Sequence, residues 1–147
     1  MAHDGRKLFI VGVDGSPSSI EALRQADRIA GPLNARIEAT ACWDNPPILA
    51  EYQVQGIDDF EENVRRTVDE ALATAFGPDR PANVDVRLRR GNPRPTLIEA
   101  SRGADLLILG RRGRGGFAGL LLGSVSSACI ARAHCPVLVV RAENTDH

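Results

Sequence analysis

Residues 8–13, Leu-Phe-Ile-Val-Gly-Val, form a continuous apolar run that stops at Asp14-Gly15-Ser16-Pro17. An apolar run without polar alternation is the pattern of a strand buried on both faces. Beyond it Ala22, Leu23, Ala26, Ile29, Ala30 and Leu33 recur at helical spacing. Ser16 or Ser18 is placed to cap that helix, Pro17 suits its first turn, and Gly31-Pro32 is expected to close it. Residues 35–42 predict a second strand, which Trp43-Asp-Asn-Pro-Pro47 is expected to break, opening a long connection to about Gly56.

The second half repeats the alternation of element types. A helix is predicted over residues 58–76, with Phe60, Val64, Val68, Ala71, Leu72 and Ala75 on one face and Gly77-Pro78 as its stop. Val84, Val86 and Leu88 then alternate with Asp85, Arg87 and Arg89, the pattern of a strand with one polar face and hence near a sheet edge. Gly91-Asn-Pro93 turns the chain into a short helix ending near Gly103, and residues 104–110 predict a fourth strand. A glycine-rich connection follows, then a helix over about 124–133 and a fifth strand over 136–141. Strands alternating with helices at this spacing imply βαβ units and a mainly parallel sheet. Right-handed crossovers make it a doubly wound, Rossmann-like α/β domain. One such domain accounts for residues 1–147, with its core over about 7–141 and loose ends on either side.

Charge narrows the partners. A net charge of -1 argues against broad binding to nucleic acid or to an anionic membrane. No apolar stretch approaches the roughly 20 residues that span a bilayer. The opening residues 1–7 lack a hydrophobic signal region, so a cytoplasmic location is expected. Cys42, Cys129 and Cys135 form no CxxC pair, and their odd number fits reduced thiols. His134-Cys135 has no second pair to complete a metal site, so no metal ligand set is expected. Lys7 is the single lysine, which leaves positive charge to arginine and hints at a GC-rich bacterial genome.

The candidate chemistry sits where strands deliver the chain into turns. In an open parallel sheet, ligands bind beyond the carboxyl ends of the strands, where the strand order reverses. Two such ends carry ligand-type residues: Asp14-Gly15-Ser16 after the first strand, and Gly110-Arg-Arg-Gly113 after the fourth. If the two strands are neighbours, one crevice receives both; the spacing alone does not prove the adjacency. Asp14 either accepts hydrogen bonds from a ribose, binds a metal that bridges phosphates, or caps the turn that follows it. Gly123-Ser124-Val125-Ser126 opens a helix, where free N–H groups favour an anion and the serines add hydroxyl donors or act as caps.

Other phosphate motifs fit poorly. A Walker A loop needs a lysine that is absent here, and the first strand is followed by Asp-Gly-Ser-Pro where a dinucleotide fingerprint needs three glycines. No catalytic constellation stands out: His3, His134 and His147 lie near the termini or beside the last strand. The acidic pairs Asp58-Asp59 and Glu61-Glu62, and the basic cluster Arg89, Arg90 and Arg94, read as solvated surface. Arg111, Arg112 and Arg114 flank the proposed phosphate loop and are placed to screen its charge.

Taken together, these residues resemble the universal stress protein family. Its pattern Gly-x2-Gly-x9-Gly-Ser is present as Gly110, Gly113, Gly123 and Ser124. The opening Val13-Asp14-Gly15-Ser16 with Ser19 and Ala22-Leu23, and the closing Cys135-Pro-Val-Leu-Val-Val140, are similar to that family as well. The resemblance runs from about Lys7 to Arg141 and implies a five-stranded parallel sheet ordered 3-2-1-4-5. It implies membership of the subgroup that binds ATP, with Asp14 at the ribose or adenine side beside Gly12 and Val13. The backbone at Cys42 would touch adenine. Gly110, Arg112, Gly113, Gly123, Ser124, Val125 and Ser126 would line ribose and phosphates. It also implies a homodimer through the last strand, Val137 to Val140.

The leading expectation is therefore an ATP-binding regulatory protein that stores or senses nucleotide during stress. One alternative is slow ATP hydrolysis or self-phosphorylation on Ser124 or Ser126, with Mg2+ held by the phosphates and Asp14. Another is a dimerisation module that uses the fold without ligand. AMP or a cyclic nucleotide stays open beside ATP, because the motif specifies phosphates better than their number. The apolar loop 117–122 packs either on the domain or on a partner.

Overall fold

The computed structural model describes residues 5–44, 55–111 and 122–142, with side chains of the second segment described from residue 60 onward. Five strands, β1 (Leu8–Gly12), β2 (Arg36–Trp43), β3 (Val84–Arg90), β4 (Leu106–Gly110) and β5 (Val137–Val140), form one sheet. All pairs are parallel and the order is β3-β2-β1-β4-β5. Among the described residues the helices are α1 (Pro17–Leu33), α2 (Gln55–Phe76), α3 (Pro93–Ala100) and α4 (Ser124–Arg132). A 3-10 turn (Ser101–Gly103) follows α3.

Alternation along the strands divides the core into two layers. Phe9, Val11, Ile37, Ala39, Ala41, Val84 and Ile108 face α1 and α2. Ile10, Leu107 and Leu109 face the other way, onto Leu97 of α3 and Cys129 of α4. The central strands bury both faces, which is why their sequences are continuously apolar. β3 lies at the edge, with Val86 and Leu88 packed inward and Asp85 and Arg87 exposed, as its alternation predicts.

Two boundaries differ from the sequence reading. Gly31-Pro32 does not close α1, which continues to Leu33 and ends on Asn34 in the left-handed region at φ 53°. Pro32 falls in the exposed last turn, and Asn34 supplies the local twist that terminates the helix, its N–H bonding the Ala30 and Gly31 carbonyls. Trp43 does not break β2 but ends it. Its ring is buried under the Arg90 guanidinium, 5.4 Å from the centroid, and its carbonyl accepts the Gly91 N–H at 2.6 Å. A cation over the indole face and one more ladder bond hold the residue in the sheet.

The start of α1 follows the sequence closely. Ser16 is its cap, with Oγ accepting the Ser19 N–H at 3.3 Å, and Pro17 occupies the first turn.

A candidate nucleotide site at the strand switch point

β1 pairs with β2 on one side and β4 on the other, through Phe9↔Leu106, Ile10↔Leu107 and Val11↔Ile108. The chain leaves β1 into α1 on one face of the sheet and leaves β4 towards α4 on the opposite face. The strand order reverses at this point, so the carboxyl ends of β1 and β4 open on a common crevice. The adjacency that the spacing left open is present.

On the β1 side the turn is built by Asp14. Its Oδ1 accepts the Ser16 N–H at 2.9 Å, Gly15 sits at φ 84°, and the Asp14 N–H donates to Ser19 Oγ at 3.4 Å. Asp14 therefore does shape the turn, and its side chain is exposed at the crevice mouth. Val13 is buried, and its N–H donates to the Thr40 carbonyl at 2.8 Å.

That bond fixes the direction of the next residues of β2. Arg36 and Thr40 bond towards β1, whereas Ile37 and Trp43 bond towards β3. By the same alternation the N–H and C=O of Cys42 point to the β1 side, beyond the last paired residue of β1. A main-chain donor and acceptor are thus presented side by side at the crevice. The Cys42 thiol turns to the α3/α4 layer, where burial pushes its pKa up to about 11 against the opposing pull of Arg89.

On the β4 side the two helix starts differ. The first turn of α1 is closed by the Ser16 side chain, whereas α4 begins at Gly123 with no side-chain cap. Ser124 is exposed, Val125 packs into the α3/α4 layer, and Gly123 is buried. The amides of Ser124, Val125 and Ser126 precede the first intrahelical bond, from the Ser127 N–H to the Gly123 carbonyl at 3.0 Å. They carry the positive end of the helix dipole.

The serines do not play equal parts. Ser126 is 3% exposed and its Oγ donates to the Gly110 carbonyl at 2.6 Å. Gly110 is also tight on its other side, where a Cβ would strike Ser18 Oγ and stand 2.8 Å from the Ser18 carbonyl carbon and the Ser19 nitrogen. Gly12 is less constrained, since a Cβ there would lie 2.6 Å from Leu109 Cδ2, the tip of a flexible side chain that can give way. Gly110 is required by packing against main chain within the protein. Arg112 and Gly113 lie outside the described residues, as do Arg114 and most of the loop 117–122.

Sequence reasoning missed the Ser18 hydroxyl and the Ser18–Ser19 main chain packed against Gly110; the run Ser16 to Ser19 was the available signal. It also treated Arg89 as solvated surface. Arg89 Nη2 instead pairs with Glu38 Oε2 at 2.9 Å, and the same carboxylate oxygen accepts from Thr40 Oγ1 at 2.7 Å. Among the described residues no group of three or more His, Cys, Asp or Glu is placed to hold a metal ion. No helix there is long and apolar enough to cross a membrane.

Comparison with known proteins decides the family. The model of the universal stress protein family matches residues 5–141. The chain belongs to this family. A universal stress protein of Mycolicibacterium smegmatis is 38% identical over 144 residues, covering 95% of this chain and 47% of the relative. The chain spans about half the length of the mycobacterial relatives it matches. Among solved structures, UspA from Lactobacillus plantarum superposes with a TM-score of 0.76 at 23% identity, covering 94% of this chain and 100% of that one. A universal stress protein solved in complex with cAMP superposes with a TM-score of 0.60 at 28% identity, covering 93% and 98%. The family fold of a five-stranded parallel sheet ordered 3-2-1-4-5, with helices on both faces, is the one seen here.

Proposed function

We propose that the protein binds an adenine nucleotide, ATP foremost, in the crevice between β1 and β4 and acts as a nucleotide-dependent regulator in stress. The observation that carries this reading is the pairing of two unlike ends. Cys42 offers a main-chain donor and acceptor in one plane, suited to the N1 and N6 edge of adenine. The uncapped start of α4 offers amides suited to phosphate oxygens. Asp14, exposed at the turn after β1, takes the ribose in this reading. The family member solved with cAMP supports an adenine ligand of this kind.

The residues present fit such a group: Gly123 has no side chain, and among the described residues no side chain caps the start of α4. Gly113 and Arg112 extend the phosphate side in this reading, with Mg2+ accompanying the phosphates. Regulation is preferred over catalysis because His134 is exposed just before β5, at the amino ends of the strands and away from the crevice, and among the described residues no general base is identified beside the phosphate side. A cytoplasmic protein that pairs with a second copy through the β5 edge completes the reading. β5 carries Val137, Leu138 and Val139 half-buried at the rim of the sheet.

Equilibrium titration of the purified protein tests it, with ATP, AMP, cAMP and GTP compared. Saturable binding of adenine nucleotides with GTP excluded is expected, and Gly113→Val is expected to abolish it. Absence of saturable binding at millimolar ATP overturns the reading and leaves a dimerisation module. Sedimentation of the wild type and of Val139→Lys tests the β5 interface, with a dimer expected only for the wild type.

A further inference from the structure

Four elements meet at one carbonyl. β4 ends at Gly110, whose Cα face lies against the first turn of α1 at Ser18 and Ser19. The Gly110 carbonyl is held from the opposite side by Ser126 Oγ at 2.6 Å, and β5 takes the next amide, from Arg111 to Val140 O at 2.7 Å. The Arg111 carbonyl in turn accepts the Gly123 N–H at 2.8 Å. Two consecutive carbonyls of the strand end, Gly110 and Arg111, therefore grip the start of α4.

Ser126 is nine-tenths or more buried and its hydroxyl proton is committed to Gly110. A hydroxyl so placed is occupied in orienting its helix rather than in meeting a ligand. We propose that Ser126 is a positioning residue for the phosphate side of the site: its hydroxyl docks the first turn of α4 on β4 and so aims the amides of Ser124 and Val125 into the crevice. This rests on the nucleotide reading above for its consequence, but not for the clamp itself. Gly110 is locked against α1, and β1 is tied to β2 through Val13 and Thr40. The clamp thereby sets the spacing between the phosphate side and the base side at Cys42. Removing it should loosen one end of the ligand and spare the other.

The test separates the clamp from its consequence. Amide hydrogen exchange of the full chain without nucleotide is measured for wild type, Ser126→Ala and Ser126→Thr. Exchange at Gly123 and Ser127 is expected to quicken about tenfold in the alanine variant, as one buried hydrogen bond is lost, and to recover with threonine. Titration then compares ATP with adenosine. Ser126→Ala is expected to weaken ATP about tenfold and leave adenosine unchanged, with threonine restoring ATP. Weakened ATP binding with unchanged exchange overturns the proposal, because the hydroxyl then meets phosphate directly. An equal loss for ATP and adenosine also overturns it, as general destabilisation. If wild type binds neither ligand, the nucleotide reading fails while the exchange result still decides the clamp. Ser126→Cys, a weak donor of similar size, replaces alanine if that variant does not fold.

Discussion

The Val13 amide and the Thr40 carbonyl are joined at 2.8 Å, one residue past the end of β1. The bond carries the parallel ladder to its last rung and leaves the main chain of Cys42 facing the crevice. Proline at position 42 would remove that N–H without breaking a bond to β3, since Trp43 and not Cys42 bonds on that side. Cys42→Pro is expected to lower ATP affinity at least tenfold, the worth of about 1.4 kcal/mol. Its midpoint of thermal unfolding should stay close to that of Cys42→Ala. Titration and melting of the two variants check this, and unchanged affinity would place adenine elsewhere.

Gly110 supports a stability prediction independent of any ligand. A methyl there meets main-chain atoms of Ser18 and Ser19 at 2.8 Å, and main chain at a helix start does not yield as a flexible side-chain tip would. Gly110→Ala is expected to cost about 1–3 kcal/mol or more by overpacking. Gly103 is the control, with open space around its Cβ position, and Gly103→Ala should gain about 0.4–1 kcal/mol through the unfolded chain. Denaturant titration of the pair reads both signs.

Ser101 ties the two helices of the smaller layer. It is fully buried, donates from Oγ to the Ile98 carbonyl at 2.6 Å and accepts the His134 N–H at 2.8 Å. The end of α3 is thereby fastened to the junction between α4 and β5. Ser101→Ala strands the His134 donor and should cost about 1–3 kcal/mol. Faster exchange of the His134 amide in that variant would identify the broken tie; an unchanged rate would refute it.

The three thiols face the same layer, and burial raises all of them. Cys42 and Cys129 each titrate at about 11, and Cys135 is raised as well. Their folded pKa values lie above the ordinary value of 9.0, so the neutral thiol favours the folded state. That contribution is full below pH 9 and is lost as pH rises from about 9 through about 11. Two results are expected: slow alkylation of the native protein at pH 8 compared with the unfolded chain, and an unfolding midpoint that falls between pH 9 and 11. Replacing Cys42 and Cys129 by alanine should flatten the latter slope.

Most of the fold was legible because its signals are local. Continuous apolar strands, the Ser16-Pro17 helix start and the one-sided alternation of β3 each follow from burial acting on neighbouring residues. The misplaced boundaries at Leu33 and Trp43 depend instead on partners elsewhere in the chain or on one residue's backbone. Arg90 and Gly91 recruit Trp43 into the sheet, and Asn34 adopts the left-handed twist usually given to glycine. At the candidate site, the sequence singled out the ends of β1 and β4, and the sheet order makes these two strands neighbours. It did not reveal the division of labour between Ser124, left exposed, and Ser126, committed to Gly110, since two serines in one helical turn look alike until β4 is placed beneath them. The glycine at 110 likewise answers to α1 through contacts that bridge about ninety positions of chain.

The bond between Gly123 and Arg111 has a further consequence for how such a site can diverge. It holds the two ends of the segment 112–122 together, Arg111 being bonded in turn to β5 through Val140, so the frame depends on those ends and not on the length between them. Lengthening a loop costs only about 0.6 kcal/mol per doubling once its ends are held. The residues that would grip the phosphates can therefore be exchanged, extended or shortened as a cassette, while the helix start and the strand end that frame them stay in register. On the nucleotide reading proposed above, ligand choice would be separable from foldability, and a change of ligand would not require the folding problem to be solved again.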